Sequence, residues 1–272
     1  MGEVNRNIRI SSIFCFFLFT FIPLSERLYA FMLIFDRHCP VQVLQDNDLV
    51  KWHKKTKIGI SVEEEKMPKV DYKKDYKDFY LPKTTPAIID VPSMAFIMVN
   101  GKGDPKREEY QDALSLLYSL SYTIKMKGKD IAGYLDYTVF PLESFWWCED
   151  GTFDYDNRDI WCFTSLIRQP EFVTAEVFEW AIEHTKKKKP ALDFSKARFE
   201  HFYEGLCVQV MHIGPYEDEP ATIEKIHAFM VENELVNMTG IERKHHEIYL
   251  SNPNKTKPEK MKTVIRLPVS KK

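Results

Sequence analysis

Apolar and polar positions follow one another along this chain in a pattern that occurs twice. The first copy is a strand-like apolar run from Met94 to Asn100, a turn through Gly101 and Pro105, and a helix-like stretch from Glu108 to Lys125. In that stretch Tyr110, Leu114, Leu117, Tyr118 and Tyr122 recur at helical spacing. Pro105 stands near its start, where a missing N–H costs nothing. The second copy is the run from Leu206 to Ile213, a turn through Gly214 and Pro215, and a helix-like stretch from Glu219 to Glu232. After the first helix, 133–140 reads as a strand, 145–148 continues extended, and 160–168 reads as the third strand. After the second, 245–251 and 261–268 read as two strands joined by the polar loop Asn252 to Glu259. Between the copies lies a helical insert capped by Thr174, with Phe178, Ala181 and Ile182 on one face, ending at Lys186 to Lys189 before Pro190. The pattern predicts an α+β fold of duplicated βαββ units. These form a pseudo-symmetric antiparallel sheet with helices on one face and a ligand cleft between the halves.

Composition narrows the picture. The chain has 272 residues, 44% hydrophobic and 29% charged, which suits an ordinary soluble globular protein of one or two domains. A net charge of -2 gives no global case for nucleic-acid binding, and Lys186 to Lys189 read as a solvated helix end. The five cysteines, Cys15, Cys39, Cys148, Cys162 and Cys207, have neither finger nor CxxC spacing and read as reduced, buried thiols of a cytoplasmic protein.

Residues 1–66 are unlike the rest. Arg6 and Arg9 precede an apolar run from Ile13 to Leu24; Ser25, Glu26 and Arg27 interrupt it, and Leu28 to Phe35 resume it. The first run is shorter than the ~20 residues of a membrane span. It has the basic front and apolar middle of a signal peptide without a clean cleavage site, and a hairpin or tilted anchor is a second reading. Membrane contact is expected only if 10–35 is a real anchor. In a third reading, the purine-rich codons of Val62 to Lys66 are a ribosome-binding site read in frame, and Met67 is the start. From 67 to 272 the chain reads as one compact domain. Its lead-in is a short amphipathic segment carrying Tyr72, Tyr76, Phe79 and Tyr80, stopped by Pro82 and Pro86.

The run 245–251 carries the sharpest chemical signal. Side chains alternate along a strand, so His246, Ile248 and Leu250 share one face and His245, Glu247 and Tyr249 the other. Ile248 and Leu250 are expected to pack against the helices, which turns Glu247 and Tyr249 to the opposite face. If the halves curl together, that face lines a cleft. A carboxylate flanked by a phenol can anchor a cation or act as a base for water; it can also be an exposed strand residue paired with a lysine. Trp146, Trp147, Trp161, Tyr134, Tyr137 and Phe163 supply aromatic surface, some for the core and some for a cleft that holds flat or cationic ligands. Adjacent His245 and His246 point apart and cannot share an ion, so with His212 alone no metal is expected. Gly101 to Gly103 is too short for a phosphate cradle, no Gly-x-Ser-x-Gly elbow exists, and Cys207 reads as core. No cofactor is expected.

The segments Tyr72 to Tyr80, Ile97 to Asp104, Arg168 to Val173, Met211 to Tyr216 and His245 to Leu250 together resemble the GyrI-like small-molecule-binding proteins. These are stand-alone bacterial relatives of the gyrase-inhibitor protein and of the ligand domains of multidrug-sensing regulators. The resemblance runs from about Met67 to the C-terminus. It implies the duplicated βαββ fold and a Glu on the late strand that meets cationic, aromatic ligands; the matching position is Glu247. Some stand-alone relatives are similar to hydrolases that open the strained cyclopropane of DNA-alkylating natural products, where a cleft Glu positions or deprotonates water. Carried over, Glu247 with Tyr249 are the catalytic candidates. Tyr137, Trp146, Trp147, Trp161, Arg168 and His212 join Glu247 as ligand-binding candidates. Two functions are therefore expected of the same cleft: sequestering or sensing flat, cationic toxic compounds, or hydrolysing a cyclopropane-bearing genotoxin. A regulator reading lacks a DNA-binding half, and nothing in the sequence marks a surface for gyrase.

Overall fold

The computed structural model describes residues 69–149, 157–240 and 242–272. The leader, anchor and start-site expectations for residues 1–66 lie outside them. Two short helices open the described chain, α1 (Tyr72–Asp75) and α2 (Lys77–Tyr80). Then come β1 (Ala87–Lys102), α3 (Glu108–Lys127), β2 (Leu142–Cys148), β3 (Trp161–Arg168) and α4 (Ala175–Lys186). The remainder is β4 (Ala197–Ile213), α5 (Glu219–Glu232), β5 (Leu235–Asn237), β6 (His245–Tyr249) and β7 (Lys262–Lys271). Thr174 caps α4 as expected, accepting from the Val177 amide. No helix of the described residues is long and apolar enough to cross a membrane.

The strands form one antiparallel sheet in the order β4-β1-β3-β2-β6-β7-β5, and β4 also pairs with β7. That extra pairing curls the sheet into a barrel-like ring. It is possible because β4 is long: residues 197–209 pair with β1 and 207–213 pair with β7. Alternation along the strands then separates two faces. Met94, Phe96 and Met98 of β1 meet Phe145 of β2 and Leu166 of β3 on the inner face. Ile97, Val99, Phe163 and Ile167 turn outward beneath Leu117, Leu120 and Ile124 of α3. On the same outer side Ile226 and Met230 of α5 cover Val208 and Val210 of β4 and Ile265 and Leu267 of β7.

The inner face is partly charged. Glu143 of β2, Glu204 of β4, His246 of β6 and Arg266 of β7 meet inside the ring. His246 lies 3.1 Å from Glu143 through Nε2 and 2.9 Å from Glu204 through Nδ1, and Arg266 Nη1 lies 3.1 Å from Glu204. The α2 segment closes over this network: Tyr80 donates to Glu143 (3.1 Å), Arg266 to the Phe79 carbonyl (2.5 Å) and Gln209 to the Asp78 carbonyl (2.6 Å).

The stretch 133–140 is not the strand its alternation predicts. Its backbone makes a turn bond, Tyr134 N to Ile131 O (3.0 Å), and an isolated bridge to Val70, through Val70 N to Asp136 O (2.8 Å) and Thr138 N to Val70 O (3.0 Å). Tyr134, Tyr137 and Phe140 are all buried, so an apolar run that looked like a sheet edge is core filling instead.

Gly101 faces Phe163 across the β1–β3 ladder. A Cβ there would stand 2.2 Å from Phe163 Cζ, and Phe163 is held edge-on by Tyr110 at 5.0 Å. Gly101→Ala is expected to lower stability by about 1–3 kcal/mol, the usual cost of overpacking. The denaturation midpoint should fall with the slope unchanged; an unmoved midpoint would show that Phe163 can yield.

Candidate functional site

Register brings the site together. β6 lies beside β2 with Glu247 opposite Ser144 and His245 opposite Trp146. It lies beside β7 with Tyr249 opposite Thr263. Glu247, Tyr249, Ser144 and Trp146 therefore share the outer face, under the seam between α3 and the start of α5. From α3, Tyr110 stacks on Trp146 (5.6 Å, 24°) and shares a 3.2 Å hydrogen bond with Ser144. From the turn before α5, Tyr216 sets its ring edge-on to Tyr249 (5.9 Å, 85°). That turn is fixed by His212, whose Nδ1 lies 2.8 Å from Thr222 Oγ1 and whose Nε2 lies 3.0 Å from the Pro215 carbonyl.

The face is the reverse of the one expected. Ile248 and His246 point into the ring, and Glu247 and Tyr249 lie on the helix side. The reason is that both faces are buried: the ring interior takes one apolar set and the helices take the other, so alternation alone does not say which is which.

Hydrogen-bond direction can be read along the seam. An indole N–H only donates, so Trp146 Nε1 donates to Tyr249 Oη at 2.9 Å. The phenol hydrogen then goes to Glu247 Oε2 at 2.8 Å. His245 Nε2 lies 3.0 Å from the other oxygen, Oε1. Glu247 thus has a partner at each oxygen, with its side chain 15% exposed. Burial, and then the Glu247 charge, hold the Tyr249 and Tyr216 phenols above their ordinary range, so both stay protonated at neutral pH. Glu219, at the first turn of α5, is 7% exposed. Burial first, and then the charge of Glu247, raise it well above the carboxylate range.

The other residues singled out in the sequence divide. Trp161 joins the seam, its ring 5.7 Å from Trp146 and edge-on. Trp147 alternates to the opposite face, where the Lys244 ammonium lies 4.1 Å over its ring. Arg168 is three positions along β3 from Ser165, the residue opposite Ser144, and faces inward; its guanidinium covers Tyr76 (3.9 Å) and Phe140 (4.9 Å). Tyr137 lies under the end of α3, bonded to the Ser121 carbonyl (3.5 Å), with Lys125 over its ring. His212 shapes the turn and makes its hydrogen bonds there. Sequence reasoning missed Glu219, Tyr110, Tyr216 and the contact with His245. An acidic residue at a helix start reads as ordinary dipole complementation, Tyr110 stands in a helical stripe, and Tyr216 ends a Gly-Pro turn.

Tyr249→Phe removes the middle of the chain of donors, leaving the Trp146 N–H and one Glu247 oxygen without their partner. A stability loss of about 1–3 kcal/mol is expected, read as a lowered melting temperature. A variant as stable as the parent would show that water replaces the hydroxyl.

A barrel-like antiparallel ring with two helices over an acidic, aromatic-walled seam is an α+β small-molecule-binding domain. The description "GyrI-like small molecule binding domain" matches residues 84–270, and the chain belongs to the GyrI-like family. Among solved structures it is similar to an uncharacterised conserved protein from Listeria innocua at 54% identity and TM-score 0.72, over 74% of this chain and 100% of that one. It is similar at 53% identity and TM-score 0.70 to a hydrolase encoded by lin2189 from the same organism, over 75% of this chain and 100% of that one. No curated protein matches.

Proposed function

We propose that the seam between α3 and α5 binds flat, hydrophobic, cationic small molecules, with Glu247 as the counter-charge and Trp146, Tyr110, Tyr216 and Tyr249 as walls. One observation carries this reading: among the described residues no lysine or arginine pairs with Glu247, whose oxygens meet Tyr249 and His245. A partly buried carboxylate is normally matched by a cation, and here aromatic faces surround it instead, each able to add about 0.5–2 kcal/mol to cation binding. The runs β1-α3-β2-β3 and β4-α5-β6-β7 are, in this reading, halves of a duplicated unit whose helices flank the ligand. Sequestering or sensing toxic compounds in the cytoplasm is the role that follows. The test is a fluorescence titration with ethidium beside its neutral parent phenanthridine. The cation should bind at least tenfold more tightly; equal affinities would remove Glu247 from the recognition.

The hydrolase reading is favoured by one specific finding, the 53% identical Listeria innocua relative described as a hydrolase. In this chemistry Glu247 takes a proton from water as its oxygen bonds to a cyclopropane carbon. The ring C–C bond breaks, its electron pair passes into the conjugated carbonyl, and that oxygen takes up a proton. A base must stand within ~3 Å of its water. Incubation with a cyclopropane-bearing alkylator should give the water adduct, followed by mass spectrometry; recovery of unchanged compound in a stoichiometric complex supports the binder alone.

A further inference from the structure

We propose that the surface groove between α3 and the end of α4 is a second ligand site, which takes small planar aromatic molecules carrying a negative charge. It shares no residue with the Glu247 seam and does not depend on the cation-binding reading. The groove is a 520 Å³ cavity, within the range of about 300–1,000 Å³ usual for small-molecule sites. One wall is aromatic. Tyr118, Tyr122 and Met126 recur four residues apart on α3, which sets them in one row. All three are exposed, where an amphipathic helix normally shows water a polar face. The two phenol rings stand 6.3 Å apart and 31° from parallel, so a fused-ring body can lie against both.

The rest of the lining says what the occupant carries. Lys127 ends α3, and Lys188 and Lys189 follow the last turn of α4. Nearby lysines are matched: Lys125 pairs with Asp136, and Lys186 with Glu183 at 3.6 Å. Among the described residues, Lys127, Lys188 and Lys189 have no acidic partner within ion-pair distance, and no acidic residue lines the groove. Lys189 Nζ donates to Ser119 Oγ (2.9 Å), a groove residue, and this holds its ammonium at the cavity. Three ammonium groups without a carboxylate, beside two exposed rings, fit an aromatic plane that bears a sulfonate, carboxylate or phosphate. The same lysines repel a cation, so the groove and the Glu247 seam sort flat ligands by the sign of their charge.

The experiment is equilibrium dialysis of the full chain against three pyrenes of one shape: anionic 1-pyrenesulfonate, neutral 1-pyrenemethanol and cationic 1-pyrenemethylammonium. At low salt the sulfonate should bind about tenfold more tightly than the alcohol, and added salt should shrink that advantage. Reversing two charges, with Lys188→Glu and Lys189→Glu together, should abolish it. Replacing the rings, with Tyr118→Ser and Tyr122→Ser together, should weaken sulfonate and alcohol alike by about tenfold. The lysine variant changes only surface side chains, so its melting temperature should match the parent's. Glu247→Gln should leave sulfonate binding unchanged. Equal affinities for sulfonate and alcohol, or an advantage that survives charge reversal, would overturn the site. Sulfonate binding lost in Glu247→Gln would place the anion in the seam and overturn it as well. So would a dimer in sedimentation that the lysine variant dissociates and pyrenesulfonate does not, since a second copy would then fill the groove. Failure of the cationic pyrene and of ethidium to bind would remove the cation reading of the seam and leave this site standing.

Discussion

Glu247→Gln is expected to weaken binding of an aromatic cation about 10- to 100-fold while leaving the fold intact. Gln has the same shape, but it removes the counter-charge and exchanges one acceptor for a donor. Tyr249 donates to one carboxylate oxygen at 2.8 Å and His245 Nε2 lies 3.0 Å from the other. An amide keeps an acceptor toward Tyr249 only with its NH2 turned to His245. A hydrogen bond to a charged group is worth about 1.5–3 kcal/mol, which gives the stated range. If the seam also opens cyclopropanes, the same variant should lose about 10²–10⁴-fold in turnover, the usual contribution of a general base. Binding and turnover therefore separate the two readings in one variant. Turnover lost with binding largely retained supports catalysis. Binding lost with no turnover in either form supports a receptor. Unchanged affinity and unchanged turnover would remove Glu247 from both.

The largest effect on stability is expected from the charged network inside the ring. His246 is 1% exposed between Glu143, itself 1%, and Glu204 at 8%. Burial alone would push its imidazole down, but the two carboxylates outweigh burial and raise it to about 9 from 6.5. Glu204 shows the counterpart: burial pushes it up, while His246 and Arg266 hold it down at about 2 from 4.5. His246→Leu leaves Glu143 and Glu204 facing one cation, Arg266, and should cost about 3–5 kcal/mol, the range for breaking a buried pair. The pH dependence has a definite sign. A raised histidine contributes stability that is fully present below pH 6.5 and is lost as pH rises through about 9. The shift corresponds to about 3 kcal/mol at 1.36 kcal/mol per pH unit. A depressed Glu204 contributes stability present above pH 4.5 and lost as pH falls through about 2. Urea unfolding of the parent should show a plateau across pH 5–7 and a fall toward pH 10. His246→Leu should start lower and lose the alkaline fall. An alkaline fall of equal size in both proteins would place its origin elsewhere.

Much of the architecture was legible in the periodicity. The α5 boundaries, Glu219 to Glu232, match the helix-like stretch read from the sequence, because a Gly-Pro turn and a helical apolar stripe mark both ends. The strands β1, β3, β4 and β7 fall on the apolar runs read as strands. Ring closure was not legible, since it depends on β4 pairing with β7 across some fifty residues of sequence, and local pattern carries no register. The stretch 133–140 shows why aromatic alternation misleads: Tyr134, Tyr137 and Phe140 are spent on core contacts without a ladder partner. At the site, alternation correctly grouped Glu247 with Tyr249 and separated both from His246. It also separates Trp146 from Trp147, and only Trp146 reaches the seam. Glu219 was hidden because its buried setting is created by tertiary packing against β6 and β7.

A crystal structure with ethidium bound is the direct measurement. The predicted result is the phenanthridinium between Trp146, Tyr110 and Tyr216, with its charged nitrogen within about 6 Å of the facing ring and turned toward Glu247. Density instead in the 520 Å³ surface groove between α3 and α4, lined by Tyr118, Tyr122 and Lys189, with the Glu247 seam empty, would contradict it.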